Sequence, residues 1–193
     1  ADVRAIDPNF HRTQLSQWMQ KGLVGKLRRG HYYLRDEVGL PAGEADLFLI
    51  SNRIYEHSYV SLDSALHYYG FLPEGVYTVT AVSTRNTARF SVAFGTFSYR
   101  HIKPTLFYGY TVLDNGARLA TPEKALLDYL YFHPKIANPD DFAELRFAAG
   151  AFVAQVDEER LQQYVEKYPR AVRERWDQVW GMLRESAQGK LTS

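Results

Sequence analysis

The sequence changes its hydrophobic period along its length, and this change limits the folds open to it. Over residues 76–120, large apolar side chains alternate with small or polar ones, which is the two-residue period of β-strands. On both sides of this stretch, apart from one short hairpin near the N-terminus, the apolar residues recur at helical spacing instead. Strands in the middle of the chain with helices on both sides predict an α+β protein, in which the larger domain has an antiparallel sheet and flanking helices.

Several strands are predicted from this pattern, with turns between them. Their sequences are VYTVTAV, ARFSVAF, TFSYRHI, YGYTVL and ARLA. The apolar phase flips around Gly95, which predicts a hairpin or bulge there, and residues 114–116 (DNG) predict a turn between the last two strands. After the strands, Thr121 has the residue type of a helix cap. Two further helices are predicted to begin at Asp157 and Pro169. The second of them has a continuous apolar stripe at Val172, Trp176, Val179, Trp180 and Leu183.

Two helix starts carry polar residues that could be mistaken for a catalytic site. In SYVSLDSALHYYG, Ser61 is predicted to cap a helix rather than to act as a nucleophile. In ATPEKALLD, Glu123 suits the positive end of the helix dipole, and Lys124 and Asp128 have the spacing of a pair on the helix surface. We therefore expect no catalytic residue in either segment.

The residue types present exclude several kinds of site. The chain has no cysteine, which rules out disulfides, thiolate metal sites and a cysteine nucleophile. Its six histidines are scattered without the spacing of metal ligands, and it has no glycine-rich phosphate loop and no G-x-S-x-G sequence. No apolar run is long enough to span a membrane. We expect a cytoplasmic protein that is not an enzyme and that holds no metal or cofactor.

Charge is distributed unevenly along the chain. Residues 1–35 contain seven Lys or Arg and two Asp, a net charge of +5, whereas residues 36–193 contain 16 Lys or Arg and 20 Asp or Glu, a net charge of −4. A basic N-terminal segment on a mildly acidic body indicates a polyanion partner for that segment alone. The alternative is that so short a segment is basic by chance.

The basic segment has the pattern of a helix followed by a hairpin. Leu15, Trp18 and Met19 form the inward stripe of a short helix that ends at Gly22, and LVGKL and HYYL are typical of two short strands. A helix directly before a basic hairpin is the second half of a winged helix-turn-helix. The candidate DNA contacts are Thr13, Gln14, Gln17 and Lys21 on the helix and Lys26, Arg28 and Arg29 on the wing.

These two groups of residues suit two kinds of contact. Long cationic side chains on a wing can neutralise phosphates of the DNA backbone. Glutamine amides, such as those of Gln14 and Gln17, can read base edges in the major groove. A solvated hairpin without a DNA partner is the alternative interpretation.

Four blocks of the sequence resemble, in order, the AbiEi family of antitoxins and predicted transcriptional regulators. They are LSQWMQKGLVGKLRRGHYYL, ISNRIYEHSYVSLDSALHYYGFLPEGVYTVTAVSTR, FGTFSYRHIKPTLFYGY and ATPEKALLDYLY. The resemblance implies an N-terminal winged helix that binds double-stranded DNA and represses the operon's own promoter. It also implies a larger C-terminal domain that counters a nucleotidyltransferase-type toxin, as in bacterial toxin–antitoxin and abortive-infection systems.

The resemblance also assigns residues to these roles. It places the recognition helix at residues 8–21 and the wing at residues 26–31, which adds Arg12 and His31 to the candidate DNA contacts.

The domain organisation follows from the same resemblance. Residues 1–38 are expected to form a winged helix-turn-helix domain that lacks the family's first helix, and residues 39–193 an α+β antitoxin or regulatory domain. Three alternatives stay open: a nucleotidyl- or phosphotransferase, a transcriptional regulator with no toxin partner, and an interaction module that no longer binds DNA.

Overall fold

The chain forms two compact units. The computed structural model describes residues 11–21, 24–28, 30–34, 43–73, 75, 77–92, 95–136, 141 and 144–189. The first unit comprises residues 1–42 together with 92–94, and the second comprises the rest of the chain. The expected domain boundary between residues 38 and 39 lies outside the described residues and stays a prediction. The same holds for DVRAI, which the winged helix-turn-helix pattern predicts as the end of a preceding helix.

The first unit contains a helix and a two-stranded hairpin. Helix α1 (Arg12–Gln20) is followed by strands β1 (Val24–Arg28) and β2 (His31–Leu34), which pair antiparallel. Gly30 lies between the two strands with a φ of +87°, a conformation that glycine adopts without the steric cost of a Cβ atom. The order of one helix and then a hairpin is confirmed for these residues.

The second unit is built on a mixed six-stranded sheet with α-helices. Its helices are α2 (Glu44–Ile54), α3 (Asp63–Tyr68), α4 (Pro122–Phe132), α5 (Ala149–Gln155), α6 (Glu158–Val165) and α7 (Arg170–Gly189). Its strands are β3 (Ser58–Val60), β4 (Thr78–Ser83), β5 (Ala88–Val92, of which Val92 itself is grouped with the first unit), β6 (Gly95–His101), β7 (Tyr110–Val112) and β8 (Arg118–Ala120). An α+β fold is therefore confirmed.

The predicted antiparallel sheet is wrong, because the observed sheet is mixed. The strands lie in the order β5-β6-β4-β3-β8-β7, and both the β4–β6 and the β3–β8 pairs are parallel. After β4, the chain runs past the position of β6 to the edge of the sheet as β5 and then returns as β6. Alternation of apolar and polar residues shows which side chains share a face of a strand. It does not show which strand lies next to which, or in which direction.

Ser61 does not cap a helix, contrary to the prediction. Residues 58–60 form β3, helix α3 begins at Asp63, and Leu62 precedes it with a φ of +60°. The Ser61 hydroxyl instead donates a hydrogen bond to Asp128 Oδ2 at 2.8 Å. At the start of α3, the N–H group of Ser64 donates to Thr80 Oγ1 on the sheet at 3.0 Å. The helix start is thus satisfied from a neighbouring strand rather than by its own preceding serine.

Several local predictions in the second unit are confirmed. Strands β7 and β8 pair antiparallel around the turn at residues 114–116. Thr121 caps α4, since its Oγ1 accepts a hydrogen bond from the Lys124 N–H, and Asp157 caps α6 by accepting from the Arg160 N–H at 3.0 Å. Helix α7 begins directly after Pro169. Its predicted apolar stripe is buried at Val172, Trp176, Val179 and Leu183, and Trp180 is half-buried.

The core of the second unit is rich in aromatic side chains. Tyr59, Phe97 and Tyr99 from the strands are fully buried, and so are Phe71 and Phe152. Phe71 and Phe152 meet edge to face with ring centroids 5.2 Å apart. Burying a phenylalanine-sized side chain stabilises a fold by about 1.5–3 kcal/mol, so these residues hold the helices against the sheet.

Candidate nucleic-acid interface

Helix α1 presents a polar face to solvent. Thr13, Gln17 and Lys21 are exposed, whereas Leu15 and Trp18 on the apolar stripe are half-buried. Lys21 is the C-cap residue, and its N–H donates to the carbonyl oxygen of Gln17 at 3.0 Å. Three of the predicted helix contacts are therefore accessible to a ligand through their side chains.

Gln14 has a structural task at the start of the helix. Its Oε1 accepts a hydrogen bond from the backbone N–H of His11 at 3.0 Å, and its own N–H donates to the His11 carbonyl oxygen at 3.0 Å. This is half of a capping box, in which a side chain three residues into the helix satisfies the N-cap N–H group. A bidentate contact to adenine would take the Gln14 amide away from this role, whereas Gln17 is exposed and is the better candidate for reading a base.

The hairpin has a buried base and an exposed lysine. Val24 and Gly25 are buried at the start of β1, and Lys26, two residues further along from Val24, is exposed. Lys26 pairs with Tyr32 across the hairpin, and the register then shifts, so that Arg28 pairs with His31. A bulge of this kind increases the twist of the strands near the turn. The side chains of Arg12, Arg28 and His31 and the whole of Arg29 lie outside the described residues, so their roles stay predictions.

The Lys124–Asp128 pair lies in the core of the second unit rather than on the helix surface, which corrects the prediction. Both side chains are fully buried, and Lys124 Nζ lies 2.5 Å from Asp128 Oδ1. The two residues do pair at i,i+4, but spacing alone does not distinguish a buried pair from an exposed one. The signal that could have shown the burial is the rest of α4, because PEKALLDYLYF is apolar on almost every face. A helix that is apolar all round is a buried helix.

Asp128 is the centre of a hydrogen-bond network of hydroxyl groups. Its Oδ2 accepts from Tyr59 at 3.0 Å and from Ser61 at 2.8 Å, and its Oδ1 accepts from Tyr168 at 2.7 Å. Lys124 Nζ also donates to the Tyr168 hydroxyl at 2.5 Å. Both oxygens of the carboxylate thus accept two hydrogen bonds each, which is the condition for burying a charged pair without a large penalty.

The surroundings of Lys124 disfavour a free ammonium group. Burial lowers the pKa of Lys124, and the charge of Asp128 opposes that change. Burial, followed by the nearby Asp128 charge, raises the pKa values of Tyr59 and Tyr168 well above their ordinary range. The Lys124 ammonium also lies 4.9 Å from the ring centroid of Tyr108, a distance at which the ring face stabilises a cation.

Glu123 is buried one residue before Lys124 and anchors helix α6. Its Oε1 accepts hydrogen bonds from the Asp157 N–H at 2.8 Å and from Arg160 Nη2 at 3.1 Å. Glu123 lies in the first turn of α4, as predicted. Its contacts show that it also joins α4 to the start of α6.

This collection of acids, bases and hydroxyls has no path to a ligand in the described structure. Lys124, Asp128 and Glu123 have no exposed surface. Two open clefts of about 430 and 100 Å³ are lined by other residues, including Asp63 and Thr80 in both. The network around Asp128 is therefore a closed structural centre, in which both carboxylate oxygens already have donors. Glu123 Oε2 and Arg160 Nε beside it are buried without a hydrogen-bond partner in the described structure.

The described residues form neither a metal site nor a membrane span. No group of three or more His, Asp or Glu side chains in the described part of the chain is arranged to hold a metal ion. None of the described helices combines the length and apolar character needed to cross a membrane. No model of a known protein family matches the sequence, and no curated protein is significantly similar to it.

Proposed function

We propose that the protein is a DNA-binding transcriptional repressor of the AbiEi type, which binds its own promoter through the first unit. The observation that carries this proposal is the exposed polar face of α1 followed directly by a hairpin with an exposed lysine. In this arrangement Gln17 reads a base edge, and Lys21 and Lys26 contact phosphates. Arg12, Thr13, Arg28, Arg29 and His31 are further candidate contacts, and Gln14 holds the start of the helix.

The second half of the proposal is that the larger unit counters a nucleotidyltransferase-type toxin. It rests on the sequence blocks FGTFSYRHIKPTLFYGY and ATPEKALLDYLY, which lie outside the proposed DNA-binding unit. The closed network around Asp128 supports a binding role for this unit over the alternative of a transferase, because a transferase needs its acid and base side chains exposed to substrate.

A salt titration on DNA tests the first half. Operator-containing and scrambled duplexes are titrated with the full chain at several salt concentrations. Replacing Lys21 or Lys26 with alanine should flatten the plot of log affinity against log salt by about 0.9 for each phosphate that is no longer neutralised, on both duplexes alike. Lys135, which is exposed in the second unit, provides the matched control, and Lys135→Ala should leave the slope unchanged.

Variants of the two glutamines distinguish a loss of base recognition from a loss of helix stability. Gln17→Ala should reduce the preference for operator by roughly 1–3 kcal/mol without changing the salt slope. Gln14→Ala should instead lower the stability of the helix, visible by circular dichroism on heating. If Lys21→Ala and Lys26→Ala leave the slope unchanged on both duplexes, the first unit does not contact DNA in the proposed way.

A co-expression experiment tests the second half. The full chain carrying Lys26→Ala, Arg28→Ala and Arg29→Ala is expressed with the toxin, and both genes are placed under unrelated promoters. Growth should be restored as well as by the unchanged protein, because neutralisation does not use the hairpin. Loss of rescue with retained folding would mean that the first unit takes part in neutralisation.

A further inference from the structure

The outer strands of the sheet in the second unit have a polar and cationic face. Phe90 of β5 packs against Tyr99 of β6, with ring centroids 5.8 Å apart, and so marks the face turned to the core. Alternation places Arg89 and Arg100 on the opposite face, and both are exposed.

Residues with hydroxyl groups lie on the same face as these two arginines. Ser91 Oγ lies 3.3 Å from Thr96 Oγ1, which joins β5 to β6 on this side. Ser98 follows on β6, aligned with Thr80 of β4 in the parallel register. Arginines among serine and threonine hydroxyls are side-chain types that commonly contact DNA phosphates.

The sequence around this face contains no acidic residue. From residue 75 to residue 113 there is no Asp or Glu, and the cations are Arg85, Arg89, Arg100 and Lys103. This stretch is net positive although residues 36–193 as a whole have a net charge of −4, because the acidic residues lie elsewhere in that part of the chain. Among the described residues, neither Arg89 nor Arg100 makes an ion pair. One acidic residue, Asp63, lines a small cleft together with Arg100.

We propose that this face of β5 and β6, centred on Arg89 and Arg100, is a second contact surface for the sugar–phosphate backbone of double-stranded DNA. It goes beyond the proposed function, on which it rests only for the choice of DNA as the polyanion. Charge complementarity selects a polyanion, and the exposure of both arginine side chains makes them accessible to it.

The same face argues against a single-stranded ligand. Binding of single strands uses exposed aromatic rings on which bases stack. The aromatic residues of β5 and β6, which are Phe90, Phe97 and Tyr99, all belong to the core side. The ring of Phe132 lies beside this face, and the Arg100 guanidinium is 5.1 Å from the centroid of that ring. That contact holds the arginine in place and covers the ring.

The test is a salt titration of the full chain carrying Arg89→Ala and Arg100→Ala together, on operator and scrambled duplexes. Leaving two phosphates without their cations should flatten the slope of log affinity against log salt by about 1.8. The loss of affinity relative to the unchanged protein should therefore be about 12-fold larger at 50 mM than at 200 mM salt. Both duplexes should respond equally, because a phosphate carries no sequence information.

Two further variants locate the effect. Arg173 on α7 is exposed and makes no ion pair among the described residues, so Arg173→Ala is the control and should keep the full slope. Arg89→Lys with Arg100→Lys should also keep the slope, because the charge is retained. An unchanged slope for the double alanine variant overturns the proposal. So does a flattening by about 0.9 with Arg173→Ala, because removing a cation anywhere would then have the same effect for each charge.

The result for the two arginines can be distinguished from the result that tests DNA binding by the first unit. If Lys21→Ala and Lys26→Ala are without effect while the arginine variant flattens the slope, the sheet face binds DNA and the assignment of the first unit fails. The reverse result supports the first unit alone and overturns the second surface. An arginine variant that keeps full DNA affinity but loses rescue from the toxin would make this face a protein-binding surface and would refute the DNA contact.

Discussion

The second unit contains two ion pairs of the same spacing in opposite environments, and their comparison gives a sharp test of how α4 is stabilised. Lys124–Asp128 and Arg170–Glu174 are both i,i+4 pairs, with N–O distances of 2.5 and 2.7 Å. The first pair is fully buried, and in the second the side chains are 84% and 58% exposed. We expect Lys124→Met to destabilise the protein strongly and Arg170→Met to have no measurable effect on the free energy of unfolding.

The magnitude follows from what Lys124→Met leaves behind. Removing one partner of a buried ion pair costs about 3–5 kcal/mol, because the other charge is left in the core. Asp128 would keep its hydrogen bonds from Tyr59, Ser61 and Tyr168, so we expect a value near the lower limit, about 3 kcal/mol. With a urea dependence of about 2 kcal/mol per M, the unfolding midpoint should fall by about 1.5 M.

A double variant distinguishes the pair from the network. Lys124→Met with Asp128→Leu removes both charges, which in many proteins restores stability. Here three hydroxyl groups would lose their acceptor, and each buried hydroxyl without a partner costs about 1–3 kcal/mol. The double variant should therefore be no more stable than Lys124→Met.

Equilibrium unfolding in urea, followed by far-UV circular dichroism and by tryptophan fluorescence, measures all three variants. Coincident transitions in the two signals would justify a two-state free energy. A cost below about 1 kcal/mol for Lys124→Met, comparable to that of an exposed pair, would refute the reasoning. Full recovery of stability in the double variant would show that the hydroxyl groups do not depend on Asp128.

Three further predictions concern single positions in the second unit. Gly109 and Gly70 have nearly equal φ angles of +72° and +74°, but a Cβ atom at Gly109 would lie 2.8 Å from Tyr164, whereas one at Gly70 would meet nothing within 4 Å. Gly70→Ala should therefore lower the free energy of unfolding by about 1–2 kcal/mol through backbone strain alone. Gly109→Ala should lower it clearly more, which thermal unfolding measures. Burial, aided by a nearby carboxylate, raises the pKa of Tyr129 to about 12. The folded state therefore keeps this proton above pH 10 while the unfolded state releases it, so stability falls between about pH 10 and 12, and Tyr129→Phe should make that fall shallower in urea titrations; an unchanged pH dependence would contradict the raised pKa. Asp157→Ala removes the cap of α6 and should cost about 1 kcal/mol, with Asp157→Asn as the control that keeps an acceptor and most of the stability.

The sequence by itself determined the features that depend on neighbouring residues. The helix and hairpin of the first unit, the turn at residues 114–116, the Thr121 and Asp157 caps and the buried stripe of α7 were all predicted correctly. A cap or a tight turn is a hydrogen bond within a few residues, and an amphipathic stripe is a repeat within one helix. These interactions are the same whatever the rest of the chain does, so the local pattern is enough to identify them.

The tertiary structure alone decided which elements meet and which side chains are removed from water. It placed β6 beside β4 in parallel and β5 at the edge, which alternation along each strand does not specify. It turned Ser61 from a predicted cap into a donor to Asp128, and it enclosed Lys124 among tyrosines that are distant in sequence. The reason is physical: the cost of burying a charge and the bonds that compensate it depend on all the groups around it. Those groups come from β3, α4 and the residue just before Pro169 and α7, which only the folded chain brings together.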